Sequence, residues 1–118
     1  MTQRRKTGQE GEQFIAKQLI ERGFTILAQN YRKPYGEIDL IARKKELLIF
    51  VEVKTRRGTS PDLTFLVPPS KQRKIGLVAR EYLSSHDIDN MICRFDVALV
   101  ITQQGNTSIS YIANAFTE

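Results

Sequence analysis

The sequence holds one cysteine and one histidine, and its apolar runs are short. Cys93 alone excludes an intramolecular disulfide, and with His86 as the only histidine no Cys/His zinc site can be assembled. The longest apolar runs, Leu47 to Val51 and Val97 to Ile101, are five residues each, far short of a membrane span. Met1-Thr2-Gln3-Arg4-Arg5-Lys6 leads into polar residues rather than the apolar core of a secretory signal, so a cytoplasmic location with no membrane partner is expected. Internal repeats, low-complexity tracts and linker-like stretches are also missing, which leaves one domain spanning residues 1–118.

What remains is the composition of an ordinary globular domain, 41% hydrophobic and 26% charged. A chain of this length buries roughly two thirds of its unfolded surface and needs no covalent staple. Eighteen Lys and Arg against thirteen Asp and Glu give a net charge of +5. That excess favours a polyanionic partner, with nucleic acid the commonest for a small basic domain, although it serves equally to keep a protein in solution.

Thr7-Gly8-Gln9-Glu10 fits a capping box, which predicts a helix from Thr7 to about Arg22 with Gly23 as its stop. Its apolar stripe is Ile15, Ala16, Leu19 and Ile20, with Phe14 at the edge. Residues 24–30 read as a short strand, followed by a turn-rich stretch over 31–36. Strands over 37–43 and 47–55 come next, and the second is apolar on both faces until Glu52 and Lys54, the profile of a central strand covered on both sides. Residues 56–70 lose periodicity and carry Gly58, Pro61, Pro68 and Pro69. A loop that long inside a small domain is often functional or mobile. A second helix follows Ser70, with Ile75, Val78, Ala79, Tyr82 and Leu83 on one stripe. Strands over 95–101 and about 108–113 complete the order α-β-β-β-α-β-β, an α/β fold with a mixed sheet flanked by helices.

Three acids break this pattern. Glu12 lies on the buried stripe of the first helix, where the helix dipole offsets only about 0.3–1 kcal/mol of its burial. Asp39 stands between Ile38 and Leu40, and Glu52 shares a strand face with Phe50 and Lys54. Asp39 and Glu52 reach the same face only if the loop between their strands has an even number of residues. A loop at Lys44-Lys45 satisfies this and sets Asp39 opposite Phe50. For any one of these acids a salt bridge at the end of a hairpin, Glu52–Lys54 or Glu37–Lys54, is sufficient. As a set, three carboxylates converging with one ammonium would each be penalised by several kcal/mol of desolvation and repulsion. A hard divalent cation, Mg²⁺ or Mn²⁺, relieves that.

Gly36-Glu37-Ile38-Asp39 followed by Glu52-Val53-Lys54 resembles the Asp…(Asp/Glu)-x-Lys signature of the PD-(D/E)xK nuclease superfamily. Together with Gly11-Glu12, Asn30-Tyr31-Arg32, Phe50-Val51-Glu52-Val53-Lys54-Thr55-Arg56, Arg94-Phe95-Asp96 and the ending Asn114-Ala115-Phe116, the chain is similar to the YraN family, whose members are described as endonucleases and resemble archaeal Holliday-junction resolvases. The resemblance implies a restriction-endonuclease-like core. It also implies metal ligation by Asp39, Glu52 and the backbone carbonyl of Val53, with Glu12 joining from the helix and Lys54 as catalytic lysine. Ile38 stands where the superfamily's nominal proline would, as it does in the family pattern. The expected activity is Mg²⁺- or Mn²⁺-dependent hydrolysis of phosphodiester bonds in DNA, branched DNA included, by a monomer or a homodimer.

Arg32-Lys33, Arg56-Arg57 and Lys71-Arg73-Lys74 are basic clusters suited to a phosphate backbone, though each alone is more often a solvated face. Lys71 extends the buried stripe of the second helix, either as a snorkelling lysine or as a phosphate contact. Asp96 and His86 read as structural or incidental, Asp96 beside an arginine, and Cys93 as a small buried residue. Two other functions remain to be weighed: a nucleic-acid-binding protein that keeps the fold without catalysis, and an RNA-binding module. The last is disfavoured because Phe14, Tyr31, Tyr35 and Tyr82 form no paired strand platform.

Overall fold

A strand as apolar as residues 47–53 needs cover on every side, and the computed structural model, which describes residues 2–58 and 62–118 with side chains from Gly8 onward, provides it. The strand is β3 (Leu47–Arg57), at the centre of an open five-stranded sheet. On one side lie β2 (Gly36–Lys44) and β1 (Thr25–Lys33), each antiparallel to its neighbour. On the other lies β4 (Ile92–Gln103), parallel to β3, and then β5 (Asn106–Phe116), antiparallel to β4. The sheet is therefore mixed, in the order β1-β2-β3-β4-β5.

Alternation divides the core between two helices. Ile49, Val51 and Val53 face α1 (Thr2–Glu21), which packs Ile15, Ala16 and Leu19 against them and against Leu40, Ala42, Ala98 and Val100. Leu48 and Phe50 face α3 (Pro69–Ser85), whose Ile75, Val78, Ala79 and Tyr82 meet Ile38, Ile41, Val97 and Leu99. Each of the valine, leucine, isoleucine and phenylalanine side chains among them, fully buried, contributes about 1.5–3 kcal/mol. A parallel pair requires a crossover, and the connection from β3 to β4 supplies it with α3 and a preceding single turn, α2 (Leu63–Leu66).

Several sequence expectations are corrected. Helix α1 starts at Thr2, so Thr7 lies inside it and the capping-box signature marks no terminus. Gln3, Arg4, Arg5 and Lys6 are all good helix formers, and a cap pattern stops a helix only where the preceding residues resist helicity. Ile20 is 57% exposed rather than part of the stripe. The turn-rich stretch after Asn30 is mostly strand, β1 continuing to Lys33. Helix α3 begins at Pro69, whose fixed φ suits a first helical position, and α2 was not foreseen. Cys93 is exposed, because the first residues of β4 run beyond the helical layers, as the exposure of Ile92 also shows.

The hairpin loop is Lys45-Glu46, since Lys44 pairs with Leu47. Its length is even, as required, but it falls one residue later than Lys44-Lys45. That shift carries the level of Asp39 from Phe50 to Glu52. Asp96 is structural: its buried carboxylate accepts two bonds from Arg94 at 2.9 Å, one from the Tyr111 hydroxyl at 2.5 Å and one from the Asn114 N–H at 2.9 Å. His86 stacks on Tyr82 and sets Nδ1 3.0 Å from its carbonyl, closing the end of α3.

Candidate active site

Regular pairing between β2 and β3 ends at Leu40 and Val51. One step further, the carboxylate of Asp39 takes the place of a backbone carbonyl and accepts the Val53 N–H at 2.8 Å. Ile38 and Ile41 both join the core beneath α3 although three positions apart, so the strict alternation of β2 breaks between them. On the other side of β2, Asn30 sits between the paired residues Gln29 and Tyr31 with φ of +52°. β1 and β2 are thus irregular at the level where β2 parts from β3, and the opening they leave holds acids from three directions. Asp39 comes from the parted strands and Glu52 from the α3 face of β3. Glu12 comes from α1, which approaches closely because Gly11 has no side chain. A Cβ there would lie 2.7 Å from Thr55 Oγ1.

Asp39 and Glu52 are buried and in contact, and Glu12 is half-buried. Asp39 is 8% exposed and Glu52 5%. Burial pushes Asp39 upward, and a hydrogen bond with Glu52 and the charges of Glu52 and Glu12 add to the push, against the Val53 N–H; its pKa is pushed up to about 9. Burial also acts upward on Glu52. There the hydrogen bond from Asp39 and the ammonium groups of Lys54 and Lys71 outweigh it and hold Glu52 below the ordinary range. These surroundings push Asp39 towards its protonated form and Glu52 towards its charged form. Burial, with the neighbouring Lys71, lowers Lys54 against the opposing pull of Glu52. Lys71, also disfavoured by burial, is raised by Glu52. Glu12 is raised by burial and by Glu37 and Glu52, against a hydrogen bond from Asn30.

Glu52 Oε2 has Lys71 Nζ at 2.8 Å and Lys54 Nζ at 3.5 Å, so two ammonium groups hold its charge. A divalent cation on this carboxylate would take the place that the Lys71 ammonium holds. Among the described residues no group of three or more His, Cys, Asp and Glu forms a ready cage for a metal. Mg²⁺ does not need one. It binds through one or two carboxylates and keeps several waters, and Asp39 and Glu52 offer that donor set.

These residues floor a cleft of about 950 Å³. Glu12, Asp39, Glu52, Val53 and Lys54 all line it, and of the basic residues Arg32, Lys33, Arg56, Arg57 and Lys71 do too. Lys74 lines a smaller adjoining hollow with Lys71, and Arg73 lines neither. Arg32 is bonded to Glu37 at 2.8 Å, and Lys33 lies 3.4 Å from Glu81. The sequence reading missed Asn30 and Gly11 as site-forming residues. An asparagine in a strand, able to adopt positive φ, was the available signal for the first. For the second the signal was the Gly11-Glu12 pair of the family resemblance, while its contact with Thr55 is distant in sequence.

The fold and cleft define a mixed α/β protein with a buried acid pair and a lysine at a break in its sheet. Comparison with known proteins narrows this. The model of a family described as "Uncharacterised protein family UPF0102" matches residues 11–100, from the glycine before Glu12 to the end of the β4 core. A UPF0102 protein of Syntrophus aciditrophicus (strain SB) is 44% identical over 117 residues, covering 98% of this chain and 92% of that protein. Another, from Dictyoglomus thermophilum, is 39% identical over 119 residues, covering 95% and 98%. The chain belongs to the UPF0102 family, the same group as YraN. Among the described residues no helix is long and apolar enough to cross a membrane.

Proposed function

We propose that the protein is a divalent-metal-dependent nuclease of restriction-endonuclease-like fold, hydrolysing phosphodiester bonds in DNA, branched DNA included. The observation that carries this reading is the contact of Asp39 with Glu52 beside Lys54, at the floor of a cation-rimmed cleft. A protein that only binds phosphates gains nothing from burying acids where the phosphates lie. Asp39, Glu52 and the Val53 carbonyl would hold Mg²⁺ or Mn²⁺, with Glu12 at hand for a metal-bound water. When bound, the ion neutralises charge on the phosphate and makes its water more acidic. Lys54 has its ammonium beside the same carboxylate, positioned to orient the attacking water or stabilise charge that develops on the phosphate. Arg56 and Arg57 would hold the backbone on the cleft rim.

One observation favours the second reading, a nucleic-acid-binding protein without catalysis. Lys71 Nζ, at 2.8 Å from Glu52, already neutralises the carboxylate a metal would use. The two separate in one experiment. Purified protein is incubated with plasmid, linear, single-stranded and four-way-junction DNA in Mg²⁺, Mn²⁺ or EDTA. The nuclease reading requires metal-dependent cleavage that disappears in Asp39→Ala and Glu52→Ala. Tight binding with no cleavage of any substrate supports the second.

A further inference from the structure

Phe65 is 79% exposed, more than any other large apolar side chain among the described residues. Its neighbours are the reverse. Leu66 and Val67 are buried and Leu63 packs on the same core. The turn is also tied by its backbone: Val67 N–H donates to the Leu63 carbonyl at 2.8 Å, and the Gln72 side-chain amide donates to the Val67 carbonyl at 3.0 Å. Helix α2 is thus anchored through three side chains and holds a fourth, a phenyl ring, out in water.

The place of that ring follows from the topology. The chain leaves β3 at Arg57 and returns at Lys71, both lining the cleft. Leu63, Leu66 and Val67 share a core with Phe50, Leu99 and Ile101, so α2 covers the sheet face that carries Phe50 and, by alternation, Glu52, Lys54 and Arg56. Val67 stands only a few residues before Lys71, which lines the cleft, so α2 lies beside the cleft. Its neighbours in the chain are cationic: between residues 62 and 74 Asp62 is the sole acid, and Lys71 and Lys74 line the cleft and its adjoining hollow. A partner that settles here carries negative charge and flat apolar faces together. A nucleobase on a phosphate backbone has both, and base–aromatic stacking is tolerant of sequence. Bases inside a duplex keep their faces covered, so the fitting base is an unpaired one.

We propose that Phe65 is a stacking platform for an unpaired base of the strand whose phosphates enter the cleft, so that the preferred DNA carries single-stranded nucleotides beside the bond at the site. This rests on the nucleic-acid reading above. The chain has no tryptophan, so Phe65→Trp introduces a single reporter at a solvent-exposed position. Full-length Phe65→Trp is titrated in EDTA with a single-stranded oligonucleotide, a blunt duplex and a duplex bearing a single-stranded flap, each of equal phosphate count. Single-stranded and flapped DNA should quench the emission strongly and blunt duplex weakly. Phe65→Ala should lose about 5- to 150-fold in affinity for the first two, the range for one stacked base, and keep its affinity for duplex. Equal weakening for all three DNAs, or binding that leaves the tryptophan emission unmoved, overturns the platform while leaving the nucleic-acid reading intact. Emission that shifts with protein concentration and not with DNA assigns the ring to a protein contact instead. If the parent protein binds none of the three, both readings fall.

Discussion

Two carboxyl groups in contact cannot both ionise without strong repulsion, and at Asp39 and Glu52 the protein resolves this with a proton. The folded-state pKa of Asp39, about 9, lies above its ordinary 3.8, so the folded chain binds a proton that the unfolded chain has lost. This contribution to stability is full below pH about 4 and is lost as pH rises towards about 9. Asp39→Asn removes the titration and keeps an oxygen for the Val53 N–H. In metal-free buffer its melting temperature should exceed that of the parent at pH 8, with the gap closing towards pH 5; 1 kcal/mol corresponds to about 4 °C for a domain of this size. A gap that widens at low pH contradicts the shared proton. Mg²⁺ or Mn²⁺ should reverse the order by stabilising the parent, more strongly at pH 8 than at pH 6, because the proton must leave before the ion binds. Lys54 makes a different prediction. Lys54→Ala should cut single-turnover cleavage by about 10²–10³-fold while leaving DNA affinity nearly unchanged, since one cation among several is lost. Equal losses in rate and affinity would make Lys54 a binding residue.

Helix α1 and strand β3 meet where both have a small or polar residue, and two glycines of one helix serve to test the contact. A glycine inside a helix is less stable than alanine by about 0.5–1 kcal/mol, so replacing one with nothing nearby is favourable. Gly8 has no atom within 4 Å of a built Cβ, and Gly8→Ala should stabilise by that amount. Gly11→Ala should destabilise by about 1–3 kcal/mol despite the same gain in propensity, because its Cβ would lie 2.7 Å from Thr55 Oγ1. Adding Thr55→Ala should recover most of the loss, a positive coupling measured by denaturant unfolding of the double-mutant cycle. Elements such as α3, β2 and β3 were legible in the sequence because helical spacing at Ile75, Val78, Ala79 and Tyr82, and the apolar run of β3, report directly on burial. The parity argument that joined Asp39 to Glu52 worked for the same reason, although the loop fell one residue later than expected. What stayed hidden depends on residues far apart in sequence. Asn30 lies opposite the break in β2, α2 is a turn held by three core contacts, and the acceptor for Val53 N–H is a side chain. Local pattern carries none of these.

At the scale of the whole molecule, the net charge of +5 matters less than where the unengaged part of it lies. Of the cations lining the cleft, Arg32 is paired with Glu37, Lys33 with Glu81, and Lys54 and Lys71 with Glu52. Arg56 and Arg57 line the same cleft in no ion pair among the described residues, and Arg56 donates instead to the carbonyl of Thr55. Cations already neutralised by a fixed carboxylate displace fewer counterions from DNA than free ones. The salt dependence of binding should therefore report chiefly on these two arginines. Each duplex phosphate contact adds about 0.9 to the slope of log affinity against log salt, so Arg56→Ala with Arg57→Ala should lower the slope by about 1.8. Arg73→Ala, which removes one formal charge from outside the cleft, should leave it unchanged. The measurement uses duplex DNA in EDTA between roughly 50 and 200 mM salt, the range over which counterion release dominates. An equal fall for Arg73→Ala and for either cleft arginine would mean that DNA responds to the overall charge of the protein, and that the cleft does not set its path.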